Sequence, residues 1–155
     1  MFDDILPIPI HKLACPQPNL VVQGPIPFST TCEHHVLPFF GHAWVGYIPS
    51  VTEDGNESVQ KVYGLSKLTR FVNAACHGLN TQERVTNTIA QAITGSSKES
   101  PRSVAVVTQA EHMCMACRGV AVKGVHSVVT SFTGAFSDDS STRSEFMSTV
   151  DRLRP

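Results

Sequence analysis

TTCEHHVLPFFGHAW, residues 31–45, holds both a strand pattern and a cluster of reactive side chains. Cys32, Glu33, His34 and His35 stand at the end of an apolar, strand-like run. Asn19 to Thr31 reads as that strand, interrupted near Gly24 and Pro25. Gly41 to Ile48 alternates Ala43, Val45 and Tyr47 against the other face, the two-residue period of a second strand.

Outward from this pair the pattern changes. Residues 50–61, SVTEDGNESVQK, are polar and contain Asp54-Gly55, a loop or hairpin tip. After Gly64, Leu65, Leu68, Val72 and Ala75 form one helical stripe. A second helix is expected from near Asn80 to about Gly95, with Val85, Ile89, Ala92 and Ile93 inward. A polar loop, 95–102, precedes two further strands, Ser103 to Met113 continuing through Cys117, and Val125 to Phe136. A last helix begins near Thr142, where Thr142-x-x-Glu145 has the form of a capping box. The order ββααββ plus a terminal helix predicts an α+β domain, an antiparallel sheet with two helices on one face. Residues 1–18 are Pro-rich and irregular, and 19–155 form a single domain.

Composition narrows the function. Charged residues are 16% of the chain and apolar ones 41%, which fits a compact protein with surface buried between subunits. A net charge of −1 gives no electrostatic case for nucleic acid or membrane binding. No apolar run nears the ~20 residues of a membrane span. MFDDILPIPI lacks a basic leader, so a cytoplasmic protein is expected. Five cysteines, an odd number, point in a reducing compartment to metal binding or catalysis. Neither a GxGxxG nor a P-loop pattern occurs.

Cys32-x-x-His35 has the spacing of half a zinc site. AEHMCMACRG, residues 110–119, offers the other half. If it is a strand, His112, Cys114 and Arg118 share one face and Cys117 takes the other. That parity favours an open three-ligand site, Cys32, His35 and Cys114, over a closed one that adds Cys117. His34 and His112 are then histidines beside a Lewis acid, fit for acid–base work or for simple packing. GLSKLTR, residues 64–70, opens a helix whose N-terminus favours anions. Ser66, Lys67, Arg70 and Arg118 together suit a phosphate chain, although a solvated helix face explains Lys67 and Arg70 alone. Glu83 can accept from an amidine edge such as guanine N1 and N2. By spacing alone a capping box with Asn80 explains it better.

STTCEHHVLPFFG, YGLSKLTRFV, QERVTNTIAQAI, AEHMCMACRGV and VVTSFTGAF, in this order, resemble GTP cyclohydrolase I from residue 19 to about 150. The resemblance implies a T-fold assembled through its sheets, a homodecamer with active sites between subunits. It implies zinc on Cys32, His35 and Cys114, and catalytic roles for His112 and His34. It places Gln82 and Glu83 at the guanine. Ser66, Lys67, Arg70 and Arg118 fall near the triphosphate and ribose, with Ser66 also implicated in rearranging the sugar. The implied reaction opens the guanine imidazole ring of GTP, releases formate and rearranges the ribose to 7,8-dihydroneopterin triphosphate, in folate or pterin synthesis. Two departures stand out. The family's N-terminal helical region is replaced by MFDDILPIPIHKLACPQ, which leads us to expect altered assembly and phosphate affinity. HGLNTQER has Gly78 where the family pattern has Arg. These departures keep two alternatives in view, a zinc-dependent cyclohydrolase for another purine and a non-catalytic assembly subunit.

Overall fold

The computed structural model describes residues 8–9, 20–54, 57–96 and 100–154. Two long strands, β2 (Val21–Cys32) and β3 (Pro38–Ile48), form the expected antiparallel pair, in register from Val21 opposite Tyr47 to Thr31 opposite Pro38. The register shifts between Gln23 and Ile26, where the Gly24–Pro25 peptide is cis. The polar stretch that follows is itself a hairpin, β4 (Ser50–Asp54) and β5 (Glu57–Val62), with β1 (Ile8–Pro9) along β5. Apart from Ile8–Pro9, the segment expected to be irregular, 1–18, lies outside the described residues.

Next come α1 (Leu65–Ala75), the two-residue β6 (Leu79–Asn80), α2 (Gln82–Gly95), β7 (Ser103–His112) and a single turn, α3 (Met113–Ala116). The chain then runs through β8 (His126–Phe132), another single turn α4 (Ala135–Asp138) and α5 (Ser140–Leu153). The main sheet has the order β6-β2-β3-β7-β8 and is antiparallel except where β6 adds in parallel to β2. Among the described residues, no helix is long and apolar enough to cross a membrane.

Strand parity sorts the core into two. Ala43, Val45 and Tyr47 of β3 and Val104 and Val106 of β7 pack against α1 and α2, around Leu68, Phe71, Val85 and Ile89. The intervening residues, Trp44, Ala105 and Val107, face the opposite way and meet Phe136, Phe146 and Val150. The expected pair of helices therefore covers one face, and α5 covers the other. Phe146 is fully buried, worth ~1.5–3 kcal/mol relative to exposure. Gly46 makes room for it, because a Cβ there would stand 2.6 Å from the Phe146 ring.

Several local expectations need correction. Leu65 is 65% exposed, and Phe71 takes its place in the α1 stripe. Thr81, not Asn80, caps α2: its hydroxyl accepts from the Arg84 N–H at 3.1 Å, which leaves Glu83 outside any capping box. Asp139, not Thr142, caps α5, accepting from the backbone N–H groups of Ser141 and Thr142. The strand expected to continue through Cys117 ends at His112, and residues 113–116 turn into helix. Parity therefore cannot govern Cys114 and Cys117.

Candidate metal centre and active site

Cys32 is the last residue of β2 and His35 sits in the turn that follows. That turn is closed by Cys32 N–H donating to Leu37 O (2.9 Å) and Val36 N–H to Cys32 O (2.8 Å). Val36 adopts φ 52°, a left-handed conformation costly for a β-branched residue and held by the surrounding bonds. The result sets Cys32 Sγ and His35 Nδ1 3.9 Å apart. Cys114, on the α3 turn at the end of β7, completes a group whose ligand atoms all lie within 4.8 Å of one another. Cys32 is buried, Cys114 half-buried and His35 exposed, so the group opens to solvent on one side.

The donor set fits a borderline-soft ion. Zinc bonds of ~2.3 Å to sulfur and ~2.0–2.1 Å to nitrogen at tetrahedral angles hold S and N about 3.6 Å apart, close to the separation here. Burial, then the neighbouring Cys32, pushes the Cys114 thiol up from its ordinary pKa, while Arg118 pulls the other way. A bound cation relieves that crowding by favouring both thiolates. Cys117 is exposed, donates its N–H to Met113 O and is not in the group.

The ligand turn is fastened to β6 and α2. Glu33 N–H donates to Asn80 O at 2.9 Å. The Glu33 carboxylate takes two bonds from Arg84, Nη1 to Oε2 at 2.5 Å and Nη2 to Oε1 at 3.2 Å. Arg84 Nη1 also reaches Leu79 O at 3.3 Å. Neither Glu33 nor Arg84 was marked as a site residue by sequence reasoning, since nothing in their spacing announces a pair 51 residues apart.

His112 ends β7 and stacks on Phe39, ring centroids 4.5 Å apart and planes within 7°. Its Nε2 lies 2.9 Å from Gln82 Oε1. Burial draws its pKa below the ordinary value, with Glu83 opposing. Gln82, expected at the guanine, stands with His112 in the wall of one cavity, with its side chain largely buried. Gln82 Nε2 donates to Thr108 O (3.1 Å) and Ser127 O (3.0 Å). Thr86 and Thr108, both fully buried, close the network around it.

A cavity of about 290 Å³ joins these groups, lined among others by Cys32, His34, His35, Glu83, His112 and Cys114. It is at the small end of ligand pockets, suited to a ring system. Ser66, Lys67 and Arg70 sit on the first turns of α1 and do not line it, nor does the exposed Arg118.

An α+β domain with a two-cysteine, one-histidine cluster, open to a cavity beside a further histidine, has the make-up of a protein that could hold a metal ion at the wall of a pocket. More narrowly, the chain belongs to the GTP cyclohydrolase I family, whose sequence model matches residues 10–151. It is 44% identical over 132 residues to GTP cyclohydrolase 1 of Halalkalibacterium halodurans, covering 85% of this chain and 65% of that protein. It is 45% identical over 132 residues to that of Geobacillus kaustophilus, with the same coverage. Against the Bacillus subtilis protein the figures are 43% over 134 residues, 86% of this chain and 65% of the relative. The chain thus spans somewhat under two thirds of the length of these relatives. In fold it is similar to the archaeosine synthase QueF-Like in its apo crystal structure. That likeness has a TM-score of 0.50 at 16% identity, over 76% of this chain and 96% of the other. The likeness agrees with the T-fold expected from sequence.

Proposed function

We propose that the chain is a zinc-dependent GTP cyclohydrolase I that opens the guanine imidazole ring of GTP, releases formate and yields 7,8-dihydroneopterin triphosphate. The observation that carries this reading is the convergence of Cys32, His35 and Cys114 with His112 and Glu83 on one cavity, in a chain of this family. A zinc ion held by the three ligands supplies Lewis acidity and a hydrolytic nucleophile at neutral pH. Glu83, exposed at the start of α2, accepts the N1 and N2 hydrogens of the guanine and so aims its five-membered ring at the ligands. His112 gives a proton to the ring nitrogen as its bond to C8 breaks, and takes one back as formate departs. His34, exposed on the cavity rim, serves as a second proton carrier for the sugar steps.

The cavity takes the base but not the phosphates. Ser66, Lys67, Arg70 and Arg118 are assigned to the triphosphate and ribose of a site completed by another copy of the chain, with Ser66 acting in the sugar rearrangement. An edge strand, β8, with Val128 half-exposed, suits such sheet-to-sheet assembly into the family's decamer. Two thiolate ligands are best kept by the reducing cytoplasm, where folate and pterin synthesis would use the product.

The decisive experiment incubates the purified, zinc-loaded protein with GTP and follows formate together with pterin fluorescence after oxidation. Both signals are expected. Formate without pterin would break the assignment of Ser66 and the phosphate residues, and the absence of both signals would overturn the function.

A further inference from the structure

The proton on His112 can be located from its surroundings. Two backbone carbonyls, Thr108 O and Ser127 O, stand 3.1 and 3.0 Å from Gln82 Nε2. Carbonyls only accept, so the nitrogen end of the amide must face them, and the opposite orientation would set oxygen against oxygen twice. The hydroxyls agree. Thr86 Oγ1 donates to the Gln82 backbone carbonyl at 2.8 Å, so at its 2.7 Å contact with Thr108 Oγ1 it must accept. Thr108 therefore spends its hydrogen on Thr86 and can only accept at its 3.2 Å contact with Gln82 Nε2, so all three neighbours of that end of the amide are acceptors. Gln82 is 3% exposed and Thr86 and Thr108 are fully buried, which holds these contacts in one arrangement. Gln82 Oε1 is left with lone pairs only, 2.9 Å from His112 Nε2. That nitrogen must carry a hydrogen.

We propose that Gln82 is a positioning residue that fixes His112 as its Nε2–H tautomer, so that every proton exchange with a ligand runs through Nδ1. The stack on Phe39 fixes the plane of the ring, and the Gln82 bond fixes its rotation in that plane. In the reaction, the bare Nδ1 first takes a proton from the attacking water and then releases it to a purine ring nitrogen, which returns His112 to the Nε2–H form. The bare Nδ1 then accepts a proton in the next step. This catalytic meaning rests on the proposed function, but the tautomer itself does not.

The test is a 15N magic-angle-spinning spectrum of the zinc-loaded, histidine-labelled protein, with the His112 signals assigned by their loss in His112→Gln. Recorded at a pH where the ring is neutral, the expected spectrum has His112 protonated at Nε2 and bare at Nδ1. Gln82→Met, similar in length but without polar ends, should mix the two tautomers and lower kcat for GTP about tenfold or more with KM little changed. Gln82→Glu keeps an acceptor for Nε2–H while losing the donors to the carbonyls. It should keep the tautomer and melt at a lower temperature. A wild-type His112 protonated at Nδ1 would overturn the proposal, whether or not either variant folds. So would a Gln82→Met protein with an unchanged tautomer. A correct tautomer in a protein that releases no formate would sink the function and leave the assignment standing.

Discussion

Arg84→Ala tests whether the ligand turn is held in place from outside the ligand set. Arg84 makes three bonds to the turn and its neighbour, two to the Glu33 carboxylate and one to Leu79 O. The pair is partly in water, with side chains 53% and 27% exposed, so its strength belongs to the surface range of ~0.2–1 kcal/mol. The two-pronged geometry places it at the upper end, about 1 kcal/mol. The bond from Glu33 N–H to Asn80 O survives the substitution, so the turn loosens rather than melts. At 1.4 kcal/mol per tenfold, about 1 kcal/mol raises the zinc dissociation constant roughly fivefold. Competition against a chromophoric chelator at low ionic strength measures this, and added salt should shrink the difference. Glu33→Gln should weaken zinc binding to a similar extent, and the double variant little further, because both lose the same contact. Equal zinc affinity in wild type and Arg84→Ala would refute the clamp. Additive losses in the double variant would show two independent effects and refute the pairing.

Cys114→Ser should lose zinc and formate release together, as metal analysis after gel filtration and the GTP assay will show. Glu83→Gln should raise KM for GTP about tenfold or more by removing a charged acceptor, with the melting temperature nearly unchanged because Thr81 does the capping. Gly46→Ala drives a methyl to 2.6 Å from the Phe146 ring, and should cost ~1–3 kcal/mol in thermal unfolding while leaving zinc affinity as it was. Asp139→Asn should lower stability at neutral pH. The hydroxyls of Thr142 and Ser141, then their backbone N–H groups, hold this exposed carboxyl well below the usual range. A depressed folded value stabilises above the unfolded pKa, so the gap between wild type and variant should be full at neutral pH. It should close as the pH falls through the ordinary carboxylate range and below, as urea melts across that range will show.

Periodicity made most of the fold legible. The alternation in Ala43, Val45 and Tyr47 and the stripe through Leu68, Val72 and Ala75 come from apolar spacing, and spacing survives folding. The placement of α5 on the opposite face was not legible, because it depends on Trp44, Ala105 and Val107, apolar residues inside strands already assigned one buried face. The strand-to-helix change at Met113 was hidden for a different reason. His112, Met113, Cys114 and Met115 carry no signal that separates a last strand residue from a first helical turn. The expectation that Cys114 and not Cys117 joins Cys32 and His35 agrees with the geometry, but by a route the structure does not use. Gln82 shows the limit most plainly. It lines the same cavity as its exposed neighbour Glu83, yet its amide nitrogen is tied to carbonyls 26 and 45 residues away that no local pattern announces.

The two-sided sheet has a consequence for reading sequence variation in this protein. Val106 and Val107 are adjacent, both fully buried, and chemically the same. Val106 belongs to the cluster that contains Cys32 and against which Cys114 packs; Val107 belongs to the one built on Phe136 and Phe146. A truncation at Val106 disturbs the layer in which the sulfur atoms are seated. The same truncation one residue later weakens the scaffold and leaves that layer alone. Tolerance along β7 should therefore alternate with the pleat, and a variant's effect on abundance need not forecast its effect on chemistry.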